Sequence, residues 1–275
     1  MKCAPFDYVR ASSVEETVKV LGEADGEGKI LAGGQSLVPV LALRMARPAV
    51  LVDVNRVPGL SSIHRIDDDT VEVGATVRHS RLVEQTRHPL LAEAARWIGH
   101  TAIRSRGTTG GSIAHADPSA ELPVVAVATG ASVTVAGPHG SRDVDAEELF
   151  VSALMTSLDE DEMITAVRFP QPARWGFAEF ARRHGDFALV TAIVTEVRGR
   201  PRITFGGVAS VPQRATTAEQ ALSDGQPATE IARIVAEEIE PTADLHGSVE
   251  FRRAIAAEMT RRALAQFESE QEQSR

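Results

Sequence analysis

The chain has 275 residues, enough for one large or two ordinary domains with a sizeable core. Apolar and charged fractions of 43% and 24% are those of a soluble globular protein, and 29 Lys+Arg against 38 Asp+Glu, a net charge of −9, argue against a nucleic-acid or anionic-membrane partner. The single cysteine, Cys3, excludes an internal disulfide and an internal Cys-ligated iron–sulfur cluster, which needs several thiolates. Met1 to Ala11 holds no apolar signal core, and no run of about 18 uncharged apolar residues occurs. A cytoplasmic location is therefore expected.

Phe6 to Arg10 reads as an edge strand, followed by a helix with Ser13 as N-cap and Glu16 completing a capping box. Val14, Val18 and Leu21 form its apolar face. The next stretch, KILAGGQSLVPVLALR from Lys29 to Arg44, reads as a short strand, a Gly33-Gly34 turn and a helix opening at Ser36. Ser36 suits an N-cap, and Pro39 falls in the first turn, where a missing N–H costs little. Glycines let the main chain come close to a ligand, and the amides from Gly33 to Leu37 then face one point, an anion site. An ordinary strand–turn–helix corner has the same pattern. Ala49 to Val54 is a buried strand, which makes a parallel β–α–β unit with a ligand expected at the strand C-terminal ends. Asp53 at its end is read either as a ribose ligand or as a turn residue.

Val57-Pro58-Gly59 marks a hinge. Ser61 to Ile66 and Thr70 to Val77 read as a hairpin around Asp67-Asp68-Asp69, a solvated tip rather than a metal site. Leu82 to His100 is predicted helical, leading through Ile103 into a second glycine loop. That loop lies in the segment IRSRGTTGGSIAHADPSAELP, which ends at Pro123. Gly107, Gly110 and Gly111 alternate there with Thr108, Thr109 and Ser112, whose hydroxyls can bond phosphate oxygens. Asp117-Pro118 reads as N-cap and first residue of a helix over Ser119 to Ala128. Two loops of this kind suggest a pyrophosphate gripped from both sides. Neither is G-x-G-x-x-G after a strand, and no G-x-x-x-x-G-K-[ST] occurs, so Rossmann and P-loop readings fail.

A second hairpin, Ala131 to Ala136 with Arg142 to Val144, precedes a strand over Met163 to Phe169 closed by Pro170-Gln171-Pro172. Phe177 to Arg183, Ala188 to Arg198 and Arg202 to Ser210 then read as an antiparallel meander turning at Gly199-Arg200-Pro201. Helices follow over Thr217 to Leu222, Thr229 to Glu240 and Val249 to Phe267. In the last, Phe251, Ile255 and Met259 are assigned to the core, and Arg252, Arg253, Arg261 and Arg262 to a solvated or inter-subunit face. The tail Glu268 to Arg275 is expected to be disordered. His115, Asp117 and Glu121 do not make a metal set, and no G-x-S-x-G or H-E-x-x-H motif occurs. With no general base beside a nucleophile, the chemistry must come from a cofactor.

AGGQSL with its following Pro and Arg, and RGTTGGS…ADPSAELP, resemble the flavin-binding medium subunits of the molybdenum hydroxylases. These include aerobic carbon monoxide dehydrogenase, xanthine dehydrogenase and bacterial N-heterocycle hydroxylases. The resemblance continues in ARRHGDFALV (Ala181 to Val190), ITFGGVASVPQRA (Ile203 to Ala215) and DLHGSVEFRRAIAAEMTRRAL (Asp244 to Leu264), and so covers nearly the whole chain. It implies an α+β chain with a two-subdomain PCMH-type FAD-binding fold, residues 1–57 and 58–173. A C-terminal domain of carbon monoxide dehydrogenase flavoprotein type, an antiparallel sheet with helices, would span 174–275.

The resemblance also implies non-covalent FAD. Ala32, Gly33, Gly34, Gln35, Ser36 and Leu37 would form one pyrophosphate loop, preceded by contacts from Lys29 and Leu31. Thr108, Thr109, Gly110, Gly111 and Ser112 would form the other. Ala116, Asp117 and Glu121 would follow, with Glu121 near the ribityl and ring portion, while Asp186 and Phe187 approach the isoalloxazine. Thr109, Ser105 and Phe187 depart from the usual residues, and the insertion that carries an extra iron–sulfur cluster in one branch is missing. The implied partners are a molybdopterin-binding large subunit and a [2Fe–2S] small subunit, two copies of each chain in a heterohexamer. A stand-alone FAD-dependent oxidoreductase of the same fold is the alternative. The hydroxylated substrate is not encoded in this chain.

Overall fold

The computed structural model describes residues 2–84 and 87–273, with side chains as far as residue 269. The first layer is a parallel sheet. Strand β1 (Asp7–Arg10) leads to helix α1 (Val14–Glu23), β2 (Gly28–Leu31), α2 (Leu37–Ala42) and β3 (Val50–Asp53), in the order β1-β3-β2 with β1 at an edge. Ser13 Oγ accepts from Glu16 N at 3.1 Å. The Glu16 carboxylate reaches Ser12, not Ser13, at 2.7 Å to N and 2.6 Å to Oγ, so the expected box is displaced by one residue. Thr17, Val18 and Leu21 bury the inner face of α1.

The second layer is a five-stranded antiparallel sheet. Its chain order is β4 (Ile63–Asp67), β5 (Thr70–Gly74), α3 (His79–Val83), α4 (Pro89–Trp97), α5 (Thr101–Arg104), α6 (Thr109–His115), α7 (Glu121–Thr129), β6 (Ser132–Gly137), β7 (Gly140–Asp145), α8 (Ala146–Leu149), β8 (Phe150–Ser152), β9 (Met155–Thr156) and β10 (Met163–Pro170). The order in the sheet is β4-β5-β10-β6-β7, and β8 with β9 makes a separate hairpin. The acidic triplet is a turn in which Asp67 Oδ1 accepts from Asp69 N at 2.8 Å.

Three sequence expectations change here. The long helix over 82–100 is two helices, because Pro89 must open a new one. The His88 ring caps it, Nδ1 accepting from Leu91 N at 3.2 Å while Nε2 faces Pro170 O at 3.2 Å. The second glycine loop is itself largely helical, forming α6. The helix expected from Ser119 starts at Glu121, since Asp117 Oδ1 accepts from Ser119 N at 2.9 Å in a turn instead of capping a helix.

The third layer is the antiparallel sheet β11 (Arg174–Phe180), β12 (Val190–Val197), β13 (Arg200–Gly206) and β14 (Gln213–Arg214), covered by α9 (Thr216–Ser223), α10 (Ala228–Glu238) and α11 (Val249–Gln273). Of the tail expected to be disordered, residues 268–273 continue α11, and its last two residues lie outside the described ones. Two side-chain assignments in α11 are corrected. Arg252 is buried and donates to Leu189 O, Gly207 O and Asp244, so it ties the helix to two loops instead of facing solvent. Phe251 is partly exposed, and the buried stripe is Ala256, Met259, Ala263, Leu264 and Phe267.

Helix α7 joins the second and third layers. Its nine residues are all buried, and it packs on α4 on one side and on β12 and β13 on the other. Its final carbonyls are met by the third layer: Thr195 Oγ1 donates to Ala128 O at 2.7 Å and Arg202 Nη1 to Val127 O at 2.9 Å. The N-terminus of this helix is thereby fixed at the wall of the main cleft.

Candidate functional site: a cleft between two glycine loops

A cleft of about 870 Å³ runs between the first and second layers and reaches the third. That is near the upper end of the roughly 300–1,000 Å³ typical of small-molecule sites. Of the residues named from the sequence, Lys29, Ala32, Gly33, Gly34, Gln35, Ser36 and Leu37 line one wall. Thr108, Gly110, Gly111, Ser112, Asp117 and Glu121 line the other, and Asp186 and Phe187 stand at its end. Leu31, Thr109 and Ala116 lie behind the lining. Leu31 O accepts from Val54 N at 3.2 Å, Thr109 Oγ1 donates to Val77 O at 3.4 Å, and Ala116 ends α6 in the left-handed region.

The first loop leaves β2 and turns at Gly34, whose φ of +74° suits glycine. Ser36 occupies the N-cap position of α2, but its hydroxyl makes no capping bond. Among the described residues, no protein acceptor takes the N–H groups of Gly33, Gly34, Gln35, Ser36 or Leu37; the bonds of α2 begin with Val38 N to Gly34 O at 3.0 Å. Five successive amide donors are thus left on one wall of the cleft.

The second loop is the reverse. Thr109 N donates to Val77 O at 2.9 Å, Gly110 N to Ala75 O at 2.8 Å, Gly111 N to Thr108 Oγ1 at 3.2 Å and Ser112 N to Thr108 O at 3.0 Å. Its backbone donors are spent inside the protein, and the Thr108 hydroxyl is the N-cap of α6. What this wall offers the cleft is the Ser112 hydroxyl and the bare surface of Gly110 and Gly111. A Cβ on Gly110 would lie 2.6 Å from Ala75 Cβ, so glycine is needed there for packing.

The two loops touch. A Cβ on Gly33 would lie 2.5 Å from Arg106 O and 2.9 Å from Gly107 Cα. A polar strut behind the seam holds them in register. Asn55 Nδ2 donates to Ala32 O at 2.9 Å and to Asp53 Oδ1 at 2.7 Å, while Asn55 Oδ1 accepts from Arg78 Nη2 at 2.6 Å. Arg78 also donates to Arg106 O, and Tyr8 donates to Asp53. Asp53 is therefore part of this strut, in a turn with Asn55, and is not among the residues that line the cleft. Asn55 and Arg78 were not singled out from the sequence, because nothing local marks two residues whose partners lie up to 28 positions away.

His79 also lines the cleft. Its ring lies beside the Thr108 backbone without a hydrogen bond of normal geometry, and burial pushes it down to about 4, so it is neutral. Glu121, the first residue of α7, is buried. Burial and then the charge of Asp117 push its carboxyl up to about 7, against the pull of its own backbone N–H. Phe187, 75% exposed, also lines the cleft, as does the β8–β9 tip, where Leu154 and Met155 expose apolar side chains and Leu154 N donates to Ala116 O at 3.0 Å. No sequence signal marks that tip. The cleft thus offers amide donors along one wall together with exposed apolar and aromatic lining, which suits a ligand with an anionic part and a flat ring.

The model of the FAD binding domain in molybdopterin dehydrogenase matches residues 4–172, and that of the CO dehydrogenase flavoprotein C-terminal domain matches 175–267. The chain belongs to the FAD-binding medium subunits of the molybdenum hydroxylases. It is 43% identical to the 6-hydroxypseudooxynicotine dehydrogenase complex subunit alpha of Paenarthrobacter nicotinovorans, with 96% of this chain and 95% of that one covered. To the carbon monoxide dehydrogenase medium chain of Hydrogenophaga pseudoflava it is 36% identical, over 94% and 96%. The solved quinoline 2-oxidoreductase of Pseudomonas putida 86 superimposes with a TM-score of 0.92 at 35% identity, covering 98% of this chain and 99% of that one. This medium subunit is an oxidoreductase component with FAD as its cofactor. The residues fit that group: five amides lack acceptors among the described residues, and a pyrophosphate supplies acceptor oxygens.

Proposed function

We propose that this medium subunit carries electrons from [2Fe–2S] clusters of a small partner, through FAD, to an external acceptor, while a molybdopterin-bearing large partner hydroxylates the substrate. The carrying observation is the run of unpaired amides from Gly33 to Leu37 in a cleft of dinucleotide size. FAD, when bound, supplies the means to accept electrons singly and pass them on in pairs. The chain's own residues hold and shield it. The amides of Gly33, Gly34, Gln35, Ser36 and Leu37 bind the pyrophosphate, with Lys29 and the Ser112 hydroxyl beside them. Leu31, Thr108, Thr109, Gly110, Gly111 and Ala116 shape the wall, and Asp117 and Glu121 face the ribityl and ring portion. Asp186 and Phe187 close the ring end, with Leu154 and Met155 excluding water there.

Residues 1–57 and 58–173 form the two FAD-binding parts in this reading, and 174–275 the domain that docks partners. One cysteine gives the chain no cluster of its own, so a partner must supply the electrons. Its place is the cytoplasm, in a heterohexamer with two copies of each of three chains. Relatives whose names point to substrates as unlike as carbon monoxide and quinoline share this subunit type, which supports leaving substrate choice to the large partner.

Co-expression with the neighbouring reading frames, followed by size-exclusion chromatography, tests this. One species containing three kinds of chain, with FAD released intact by acid precipitation, is expected. A chain that elutes alone and is rapidly reduced by an organic substrate would make the stand-alone oxidoreductase the better reading, and flavin retained in the precipitated protein would contradict non-covalent binding.

A further inference from the structure

Two side chains of the flavin cleft have no bonds of their own to hold them. Asp186 and Phe187 line the cleft from the loop between β11 and β12, with Gly185 beside them. Among the described residues, neither side chain makes a hydrogen bond, an ion pair or a ring contact. Their place is therefore set by the rest of the loop. Its root belongs to the third layer: Leu189 N donates to Phe180 O at 2.9 Å, and Arg252 Nη1 donates to Leu189 O at 2.7 Å.

The apex of the loop is seated on the second layer instead, at the corner between α4 and α5. The His184 ring meets the Trp97 ring edge-on, with centroids 5.4 Å apart and planes at 67°. Gly185 has a φ of +88°, and a Cβ on it would lie 2.5 Å from His100 Cε1 and 3.2 Å from Gly99 O, so the backbone rests directly on this corner. Asp186 N donates to Arg183 O at 3.1 Å, which closes the turn around His184 and Gly185. Trp97 is itself fixed. Its Nε1 donates to Glu93 Oε1 at 3.2 Å, and its ring packs on the buried Phe177 of β11 with centroids 5.9 Å apart. The corner reaches the cleft as well, where Ile98, Gly99 and Ile103 join Gly185 in the lining.

We propose that Trp97 and His100 are positioning residues of the cofactor site, which seat the His184–Gly185 apex and so hold Asp186 and Phe187 at the cleft. This rests on the reading above that the cleft holds FAD. The seat joins the second layer to the third at the cleft itself, so the surroundings of the flavin depend on a contact between the two layers. The amides of Gly33 to Leu37 take no part in that contact. Loosening it should therefore change the environment of the bound cofactor without emptying the cleft. Losing one edge-to-face ring pair shifts the balance between a seated and a released loop by roughly twofold to tenfold.

The test uses the full chain loaded with FAD and follows the visible circular dichroism of the bound flavin and the hydrogen exchange of the Asp186 amide. His184 is exposed, so His184→Ala should leave the cores intact and keep its FAD. Exchange at Asp186 should rise by roughly twofold to tenfold, and the flavin dichroism should change with it. His184→Phe, which restores a ring edge for Trp97, should return both signals to those of the wild type. Trp97→Leu should repeat the effect and add nothing further in the double variant with His184→Ala. Gly185→Ala, which drives a Cβ toward the His100 ring, should release the apex in the same way. A His184→Ala protein that matches the wild type in both signals, or that loses only Tm, would overturn the proposal, as would a failure of His184→Phe to restore them. A wild type that takes up no flavin would overturn the cofactor reading itself.

Discussion

The two glycine loops are built from nearly the same letters and do opposite work. Among the described residues, Gly33 to Leu37 leaves its amides without protein partners, whereas Thr109 to Ser112 commits each of its amides to Val77, Ala75 or Thr108. Both runs hold adjacent glycines and a nearby hydroxyl. What separates them is what lies behind: loop one rests edge-on against Arg106 and Gly107, and loop two is pressed onto the end of β5. A glycine-rich run therefore shows that something comes close, and only the neighbours show whether it is a ligand or the protein itself. In this subunit the first loop is the cradle and the second is the wall that holds it.

That contrast can be broken most forcefully at Gly110. A valine there would drive its Cβ toward Ala75 Cβ at 2.6 Å and Ala75 O at 3.0 Å, in a buried position. We expect Gly110→Val to destabilise even the FAD-free chain by about 3 kcal/mol, the upper part of the usual overpacking range. In thermal unfolding that is roughly 2–4 °C per kcal/mol. An unchanged apoprotein Tm, with FAD binding alone lost, would return the second loop to the role of a phosphate cradle.

Acid should open the same loop. His79 titrates at about 4 in the fold against an ordinary 6.5, because burial disfavours its charged form. Its contribution to stability is intact above 6.5 and is lost as pH falls from 6.5 through about 4. The 2.5-unit difference corresponds to at most about 3 kcal/mol. His88, also lowered to about 4 by burial, adds in the same direction. Hydrogen exchange at pH 4.5 should show α6 losing protection before β12 does. His79→Gln should blunt this, and equal loss in the variant would place the acid-sensitive group elsewhere.

Gly33→Val should act mainly on the ligand. Its Cβ meets the Arg106–Gly107 backbone at the seam and not a core strand, so the seam should open while the cores persist. FAD titration followed by flavin fluorescence should show affinity falling at least about tenfold, or 1.4 kcal/mol. Undiminished affinity would move the pyrophosphate off this loop. Thr108→Ala should have the smallest effect, about 1 kcal/mol of stability from the lost N-cap, with FAD affinity unchanged. A fall in affinity without a fall in Tm would mean that the hydroxyl serves the phosphate.

Much of this was legible in the sequence, for identifiable reasons. The parallel β1-β3-β2 unit, the hairpins and the C-terminal meander follow from alternating apolar runs and local turns. The cleft brings Gly33 to Leu37 together with Gly110, Glu121 and Phe187, as the motifs led us to expect. Long-range partnerships were not legible. Nothing near Asn55 announces Arg78, and nothing near Arg252 announces the carbonyls of Leu189 and Gly207, so Arg252 read as a surface charge. Glycine content likewise hid the helix α6, because Gly110 is imposed by contact with Ala75 and Gly111 by the nearby Thr108 hydroxyl, not by a need for a loop.

The claim that one loop cradles the cofactor and the other supports it is tested most directly by amide hydrogen exchange, residue by residue, on the FAD-free and FAD-loaded chain. The N–H groups of Gly33 to Leu37 should exchange fast without FAD and gain strong protection with it, while those of Thr109 to Ser112 should be protected in both. Protection gained at Thr109 to Ser112 and absent from Gly33 to Leu37 would contradict it.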